Sequence, residues 1–218
     1  MVSVIASNKM PLHFKPSASR RPNSSNLANR VRLIGGNWRS RIIEFPDADG
    51  LRPTASRVRE TLFNWLGQSL SGKRCLDLFS GSGALGFEAA SRGAVEVVML
   101  ETQPTALLAL KENQKKLEAR MCRIVAKDAL RFLSTAIQKF DVVFVDPPFG
   151  SNLMASVLLA LPKSLTKDAM VYAEWHAPIT EVLANLSHVG WEVVKMGRAG
   201  AVHFALLQLA ANQQQTPS

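Results

Sequence analysis

Acidic residues are missing from the first 43 positions of the chain. Lys9, Lys15, Arg20, Arg21, Arg30, Arg32, Arg39 and Arg41 all precede the first carboxylate, Glu44, and the remaining 18 of 26 bases face 17 acids. The net charge of +9 therefore belongs to the N-terminal part, which suits a polyanionic partner. Cysteine is scarce. Cys75 and Cys122 lie in or beside strand-like runs and read as small buried residues of a reducing compartment, with no disulfide or metal role. His13, His176, His188 and His203 are scattered without ligand spacing, so no metal is assigned. No apolar run reaches the roughly 18–20 residues of a membrane span. Residues 1–29, rich in Ser, Asn and Pro, are expected to be a disordered basic arm of a cytoplasmic protein. The same composition fits an organelle-targeting peptide, the alternative reading. Residues 211–218 are expected to be a disordered tail.

Between these tails the pattern is regular. "RVRLIGG" and "SRIIEFP" predict two short strands around Gly35-Gly36-Asn37-Trp38, a hairpin. "RVRETLFNWLGQSL" predicts a helix with an apolar stripe at Val58, Leu62, Trp65, Leu66 and Leu70, and Gly72 near its end. From residue 74 onward strand and helix alternate. Strands are expected at "RCLDLFS", "VEVVMLE", "CRIVAKD", "FDVVFVD", "AMVYAEW", "WEVVKMG" and "VHFALLQLA". Helices are expected near 83–92, 104–119, 128–138, 152–161 and 178–187. This predicts an α/β fold, a mostly parallel seven-stranded sheet covered on both faces, ending in an antiparallel hairpin. The division that follows is a hairpin-and-helix extension over 30–72 and a main domain over 73–210.

Two places carry chemistry. The first is Gly81-Ser82-Gly83-Ala84-Leu85-Gly86, a G-x-G-x-x-G turn between a strand and a helix. With Phe79, Ser80, Gly81, Gly83 and Gly86 around a ligand, Glu101 at the next strand end is placed to accept hydrogen bonds from ribose hydroxyls. A nicotinamide cofactor would fit that much. Asp77 shifts the balance, because a carboxylate before the turn repels a pyrophosphate and suits the amino group of a cationic nucleoside such as S-adenosylmethionine. Asp77 could instead cap the following helix. Asp128 could contact the adenine amino group or be an N-cap.

The second place is "FDVVFVDPPFG" (140–150). A strand apolar on both faces ends in Asp146-Pro147-Pro148-Phe149, because proline cannot donate to a sheet ladder. The exocyclic amine of a base is a weak nucleophile, its lone pair delocalised into the ring. The Asp146 carboxylate and the Pro147 carbonyl, stiffened by Pro148, can hold its two N–H groups and free the lone pair. Phe149 offers a ring for a flipped base.

"DPPF" is similar to the [DNS]-P-P-[YFW] motif of amino-group methyltransferases. "RLIGGNWR", "LRPTASRVRETLFNWL", "CLDLFSGSGALGFEAASRGA" and "VFVDPPF" together resemble the bacterial small-subunit (16S) ribosomal RNA guanine-N2 methyltransferases, the RsmD type, from about Arg30 to about Leu209. The resemblance implies a Rossmann-like class I methyltransferase fold and S-adenosylmethionine as donor. It implies as acceptor one guanine N2 in small-subunit ribosomal RNA, presented by an assembled or partly assembled subunit. Members often carry an acid where Ser56 stands, and another soon after Glu101, where this chain has Thr102 and Gln103.

On that reading Arg32, Trp38, Arg39, Arg41, Arg52, Arg57 and Arg59 are expected beside the active-site edge as RNA contacts, with Trp38 either stacking a base or filling the hairpin core. Glu60 is expected to pair with one of these arginines. The enzyme is expected to act as a monomer. Other readings are a DNA adenine-N6 or protein glutamine-N methyltransferase, a catalytically silent RNA-binding assembly factor, and an NAD-dependent oxidoreductase. The last lacks a recognisable Tyr-Lys or His-Asp pair.

Overall fold

All seven strands and five helices expected after residue 74 are present in the computed structural model, which describes residues 29–46, 54–148 and 150–211. The expectations for the arm up to residue 28, for Arg52, for Phe149 and for residues 212–218 lie outside the described residues.

In chain order, β1 (Asn29–Arg32) and β2 (Ile42–Phe45) form the antiparallel hairpin around a one-turn 3-10 segment, Gly36–Trp38. Gly36 has φ +70°, and a Cβ there would overlap the Ser91 carbonyl, so the turn requires glycine. Helix α1 (Ser56–Trp65) is shorter than its apolar stripe suggested. Gly67 and Gln68 take left-handed φ values of 87° and 64°, and the Gln68 N–H donates back to the Phe63 carbonyl, ending the helix well before Gly72. Leu70 is buried beyond the helix end.

The sheet follows with its helices between: β3 (Arg74–Asp77), α2 (Ala84–Ser91), β4 (Glu96–Glu101), α3 (Pro104–Leu117), β5 (Cys122–Ala126), α4 (Ala129–Thr135), β6 (Phe140–Val145), α5 (Leu153–Ala160), β7 (Leu165–Trp175), α6 (Ile179–Ala184), β8 (Trp191–Ala199) and β9 (Val202–Leu209). The spatial order is β5-β4-β3-β6-β7-β9-β8. β9 is antiparallel to both its neighbours, and its turn from β8 uses Gly200 at φ +61°. After β5 the chain returns to the middle and lays β6 against β3. The direction of winding therefore reverses between these two strands, the place where open α/β sheets bind ligands at their carboxyl ends.

Apolar residues on alternate positions of the strands build two cores. One face, with Cys75, Met99, Phe144 and Tyr172, packs against α2, α3, α1 and the β1–β2 hairpin. The other, with Leu76, Val98, Val143 and Val145, packs against α4, α5 and α6. Continuous apolar runs such as Val142–Val145 follow from burial on both sides. The hairpin thus shares one core with the sheet: Val31, Leu33, Ile43 and Phe45 join the same cluster as α2. Both cysteines are buried and burial raises their thiols, Cys122 to about 12. Among the described residues no helix is long and apolar enough to cross a membrane.

Candidate active site

Strand ends decide what meets here. β3, β4, β6 and β7 terminate side by side, and a cavity of about 620 Å³ opens at their carboxyl edge. Asp77 closes β3 and is 2 % exposed. Its Oδ2 accepts from the Gly86 N–H at 3.1 Å. The capping reading of Asp77 is therefore correct for one oxygen, while the residue also lines the cavity. Burial pushes its carboxyl up to about 7, although bonds from the Gly86 and Phe79 backbone and from Ser80 pull the other way.

The glycine turn is held from within. Gly83 N donates to the Ser80 carbonyl at 2.6 Å, and Gly83 takes φ +80° as it enters α2. Gly81 N donates to Glu101 Oε2 at 2.9 Å, and Glu101 Oε1 accepts from the Thr102 and Gln103 N–H groups at 2.6 and 2.8 Å. Phe79, Ser80, Gly81 and Glu101 line the cavity. Gly83 and Gly86 are absent from its wall. A Cβ on Gly83 would meet Leu110 and Phe87 at 2.7 Å, and one on Gly86 would meet Met99 at 2.7 Å. These two glycines serve the turn and the packing of α2, a correction to the direct contacts expected of them. Asp128 is the N-cap of α4, its Oδ1 accepting from Arg131 N at 3.0 Å, and it also lines the cavity.

Asp146 follows the last residue of β6 on the cavity wall, with Pro147 and Pro148 beside it. Burial, then Glu174 and Asp77, hold its carboxyl well above the usual carboxylate range, opposed by Thr54. Thr54 Oγ1 lies 3.4 Å from Asp146 Oδ2. Glu174, 7 % exposed on β7, also faces the cavity, and its Oε2 accepts from the Tyr172 O–H at 2.7 Å.

The charge of this cavity selects its occupant. Asp77, Glu101, Asp128, Asp146 and Glu174 line it, against Lys127 and His176. Among the described residues no cation forms an ion pair with Asp77, Asp146 or Glu174. The N–H groups that a pyrophosphate would use are already taken: Gly86 N by Asp77, Gly81 N by Glu101, and Ala84 N by Ser82 Oγ. A dinucleotide would meet carboxylates and occupied donors. A cationic, phosphate-free nucleoside such as S-adenosylmethionine fits, because its positive groups supply what the buried carboxylates lack.

The basic residues fall elsewhere than expected. Arg59 is buried at 3 % exposure. Its Nε and Nη2 donate to the carbonyls of Thr54 (3.2 Å) and Arg32 (3.1 Å), and its Nη1 lies 3.6 Å from Glu88 Oε2. A guanidinium held this way cannot reach a phosphate, so Arg59 is a structural residue, and its ion pair is with Glu88 rather than Glu60. The hairpin turn is not beside the cavity either. Trp38 N donates to Ser91 Oγ, on the last residue of α2, and Arg41 Nη2 donates to the Lys116 carbonyl near the end of α3. Both helices start at the cavity edge and run away from it, so Trp38, Arg39 and Arg41 sit at the opposite end of the sheet. Trp38 is half-buried against the apolar cluster, its hairpin-core reading. Arg32, Arg39 and Arg41 are exposed there, whereas exposed Arg57 follows Ala55 of the cavity wall by two positions.

Residues 31–208 match the family described as Conserved hypothetical protein 95. The chain is 39 % identical over 196 residues to ribosomal RNA small subunit methyltransferase D of Escherichia coli K12, covering 88 % of this chain and 96 % of the relative. The Haemophilus influenzae protein of the same name is 37 % identical, with 84 % and 96 % covered. The solved structure of the Escherichia coli protein yhhF superposes with a TM-score of 0.73 at 35 % identity, covering 84 % of this chain and 99 % of that one. The chain belongs to the ribosomal RNA small subunit methyltransferase D family.

As a methyltransferase D family member it has the class I sheet the resemblance implied. The two departures from the family pattern are mild in this chain: Ser56 is simply the first residue of α1, and Thr102 and Gln103 hold Glu101 through their backbones. Three residues of the cavity wall and its support carry little signal in the local sequence pattern. Thr54 and Glu174 join the wall through tertiary contacts alone. Glu88, at 0 % exposure, accepts from Ile34 N at 2.8 Å and from Arg92 Nε at 2.8 Å while pairing with Arg59, so it ties the hairpin and α1 to α2. An acid inside the apolar helix "ALGFEAAS" was the only local signal of this.

Proposed function

We propose that the protein transfers a methyl group from S-adenosylmethionine to the exocyclic N2 amine of a guanine in small-subunit (16S) ribosomal RNA. It acts as a cytoplasmic monomer on an assembled or partly assembled subunit. The observation that carries this reading is that Asp146 and Pro147 share one cavity with Asp77 and Glu101. The named relatives are small-subunit ribosomal RNA methyltransferases, which supports the substrate class.

When bound, the cofactor supplies an electrophilic methyl group. Asp77 accepts from its amino group, Glu101 from its ribose hydroxyls and Asp128 from its adenine amine, with Phe79, Ser80 and Gly81 forming the remaining wall. The chain's main task is to prepare the acceptor. The Asp146 carboxylate and the Pro147 carbonyl take the two N–H bonds of the guanine amine, and its lone pair is turned out of conjugation with the ring. Phe149 stacks the flipped base. As the amine gains the methyl group it becomes cationic and must lose a proton. Asp146 takes it in this reading, a role supported by the burial and the Glu174 charge that raise its carboxyl above the usual range. Arg57, Arg52 and the exposed hairpin arginines Arg32, Arg39 and Arg41 contact RNA phosphates over a footprint wider than the cavity.

The test uses labelled S-adenosylmethionine with naked small-subunit RNA, assembled small subunits lacking the modification, and duplex DNA, followed by nucleoside digestion. N2-methylguanosine from the subunits is the expected product. Label in DNA adenine would replace this reading with the DNA-enzyme alternative. Tight cofactor binding with no product in any acceptor would leave the silent RNA-binding factor.

A further inference from the structure

The register of the sheet puts a second carboxylate next to Asp146. Phe144 stands opposite Tyr172 and Val145 opposite Ala173 in the parallel β6–β7 pair. One step further along both strands brings Asp146 level with Glu174, on the same side as Tyr172 because side chains alternate. Both carboxylates line the same cavity, and Glu174 helps to raise the Asp146 carboxyl. Glu174 is more than nine-tenths buried and lines the cavity. The Tyr172 O–H fixes its Oε2, and among the described residues nothing donates to its Oε1. Glu174 thus keeps one acceptor oxygen unengaged on the cavity wall, available to a donor from a ligand.

We propose that Glu174 is the guanine-specificity residue, its Oε1 accepting the N1–H of the base while Asp146 and Pro147 hold the N2 amine. This rests on the methyl-transfer reading given above. On the Watson–Crick edge of guanine, N1–H lies next to the N2 amine, so two neighbouring donors meet two neighbouring acceptors. Adenine offers a lone pair at N1 and cytosine one at N3, and either would face the carboxylate as a repulsion. A site built to receive a donor rejects an analogue lacking it far more strongly than a site that merely has space for it. Tyr172 is then a positioning residue, keeping Glu174 from turning away.

The experiment exploits 2-aminopurine, which keeps the reactive amine but has a lone pair at N1. Small subunits are reconstituted with RNA carrying either guanine or 2-aminopurine at the position located by the labelling assay. Rates are compared for the full-length enzyme, Glu174→Gln and Glu174→Ala, with S-adenosylhomocysteine binding showing that each variant keeps its fold. The unaltered enzyme is expected to prefer guanine by at least about 100-fold in kcat/KM. Glu174→Gln is expected to compress that preference at least about tenfold, because its amide can turn a donor towards the N1 lone pair. Glu174→Ala is expected to be slow and nearly indifferent, within about threefold. Full preference retained in both variants, or no preference in the unaltered enzyme, overturns the assignment while leaving the methyl-transfer reading standing. Failure of the unaltered enzyme to methylate the guanine subunit would overturn both.

Discussion

Thr54 and Asp146, 92 residues apart in the chain, meet at the cavity with 3.4 Å between Oγ1 and Oδ2. Thr54 is held in turn by Arg59, whose Nε donates to its carbonyl at 3.2 Å, and Arg59 is held by Glu88. Thr54, just before α1, therefore reaches the cavity edge and touches the Asp146 carboxylate. At 3.4 Å the contact is longer than a strong O–H···O bond, so its contribution should be modest.

The pair can be separated kinetically. Asp146→Ala is expected to lower kcat by at least about 100-fold, since it removes a preorganised acceptor. Thr54→Val is expected to cost about 3–10-fold, with Thr54→Ser close to the unaltered enzyme. S-adenosylhomocysteine affinity should stay within a few-fold in all three. A collapse of that affinity in Asp146→Ala would remove Asp146 from the acceptor side of the site.

Asp77 predicts a pH dependence of stability in the cofactor-free protein. Its folded carboxyl is raised from 3.8 to about 7, chiefly by burial. Between those values the folded state holds more protons than the unfolded one, so stability falls as pH rises through the window and levels off above about 7. Asp77→Asn lacks this cost while keeping an acceptor for Gly86 N. Thermal melts at pH 4 and pH 8 should show the variant gaining on the unaltered protein at pH 8, by up to about 4 kcal/mol, with the gain absent near pH 4. Its cofactor affinity should fall. An equal difference at both pH values would mean that Asp77 is not a buried, uncompensated carboxylate.

Gly83→Val distinguishes a packing role from a ligand contact. The new side chain would strain a backbone at φ +80° and overlap Phe87 and Leu110. The expected result is a lower melting temperature, with cofactor binding lost only as the protein unfolds. A fully stable variant that fails to bind the cofactor would return Gly83 to the cavity wall.

Arg57 and Arg59, two positions apart on α1, should behave differently. Arg57→Glu is expected to leave stability unchanged and to reduce the salt dependence of RNA binding by roughly one phosphate contact. Arg59→Ala is expected to destabilise by roughly 1–3 kcal/mol, because it leaves the Thr54 and Arg32 carbonyls without their donor while Arg92 and the Ile34 N–H still hold Glu88. Chemical denaturation and a salt titration of RNA binding check both. An unaltered salt slope in Arg57→Glu would remove it from the RNA surface.

Much of this protein is local in origin and could be read along the chain. Val142–Val145 announce a strand covered on both faces because every position is apolar, and Pro147-Pro148 say where it stops because neither residue can donate to a ladder. Gly81 to Gly86 mark a turn into a helix, and Asp77 before it announces a cationic ligand. What the sequence could not reveal depends on partners distant in the chain. A guanidinium at Arg59 looks like a surface charge until Glu88 and two carbonyls are found around it. Trp38 and its neighbouring arginines look like an entrance until Ser91 and Lys116 anchor them at the other end of α2 and α3. Glu174 is one more strand residue until the register of β6 against β7 sets it beside Asp146. Periodicity reports which face of an element is buried, because burial repeats with the backbone. Which element lies against that face, and in what register, is decided by packing between segments that no local pattern records.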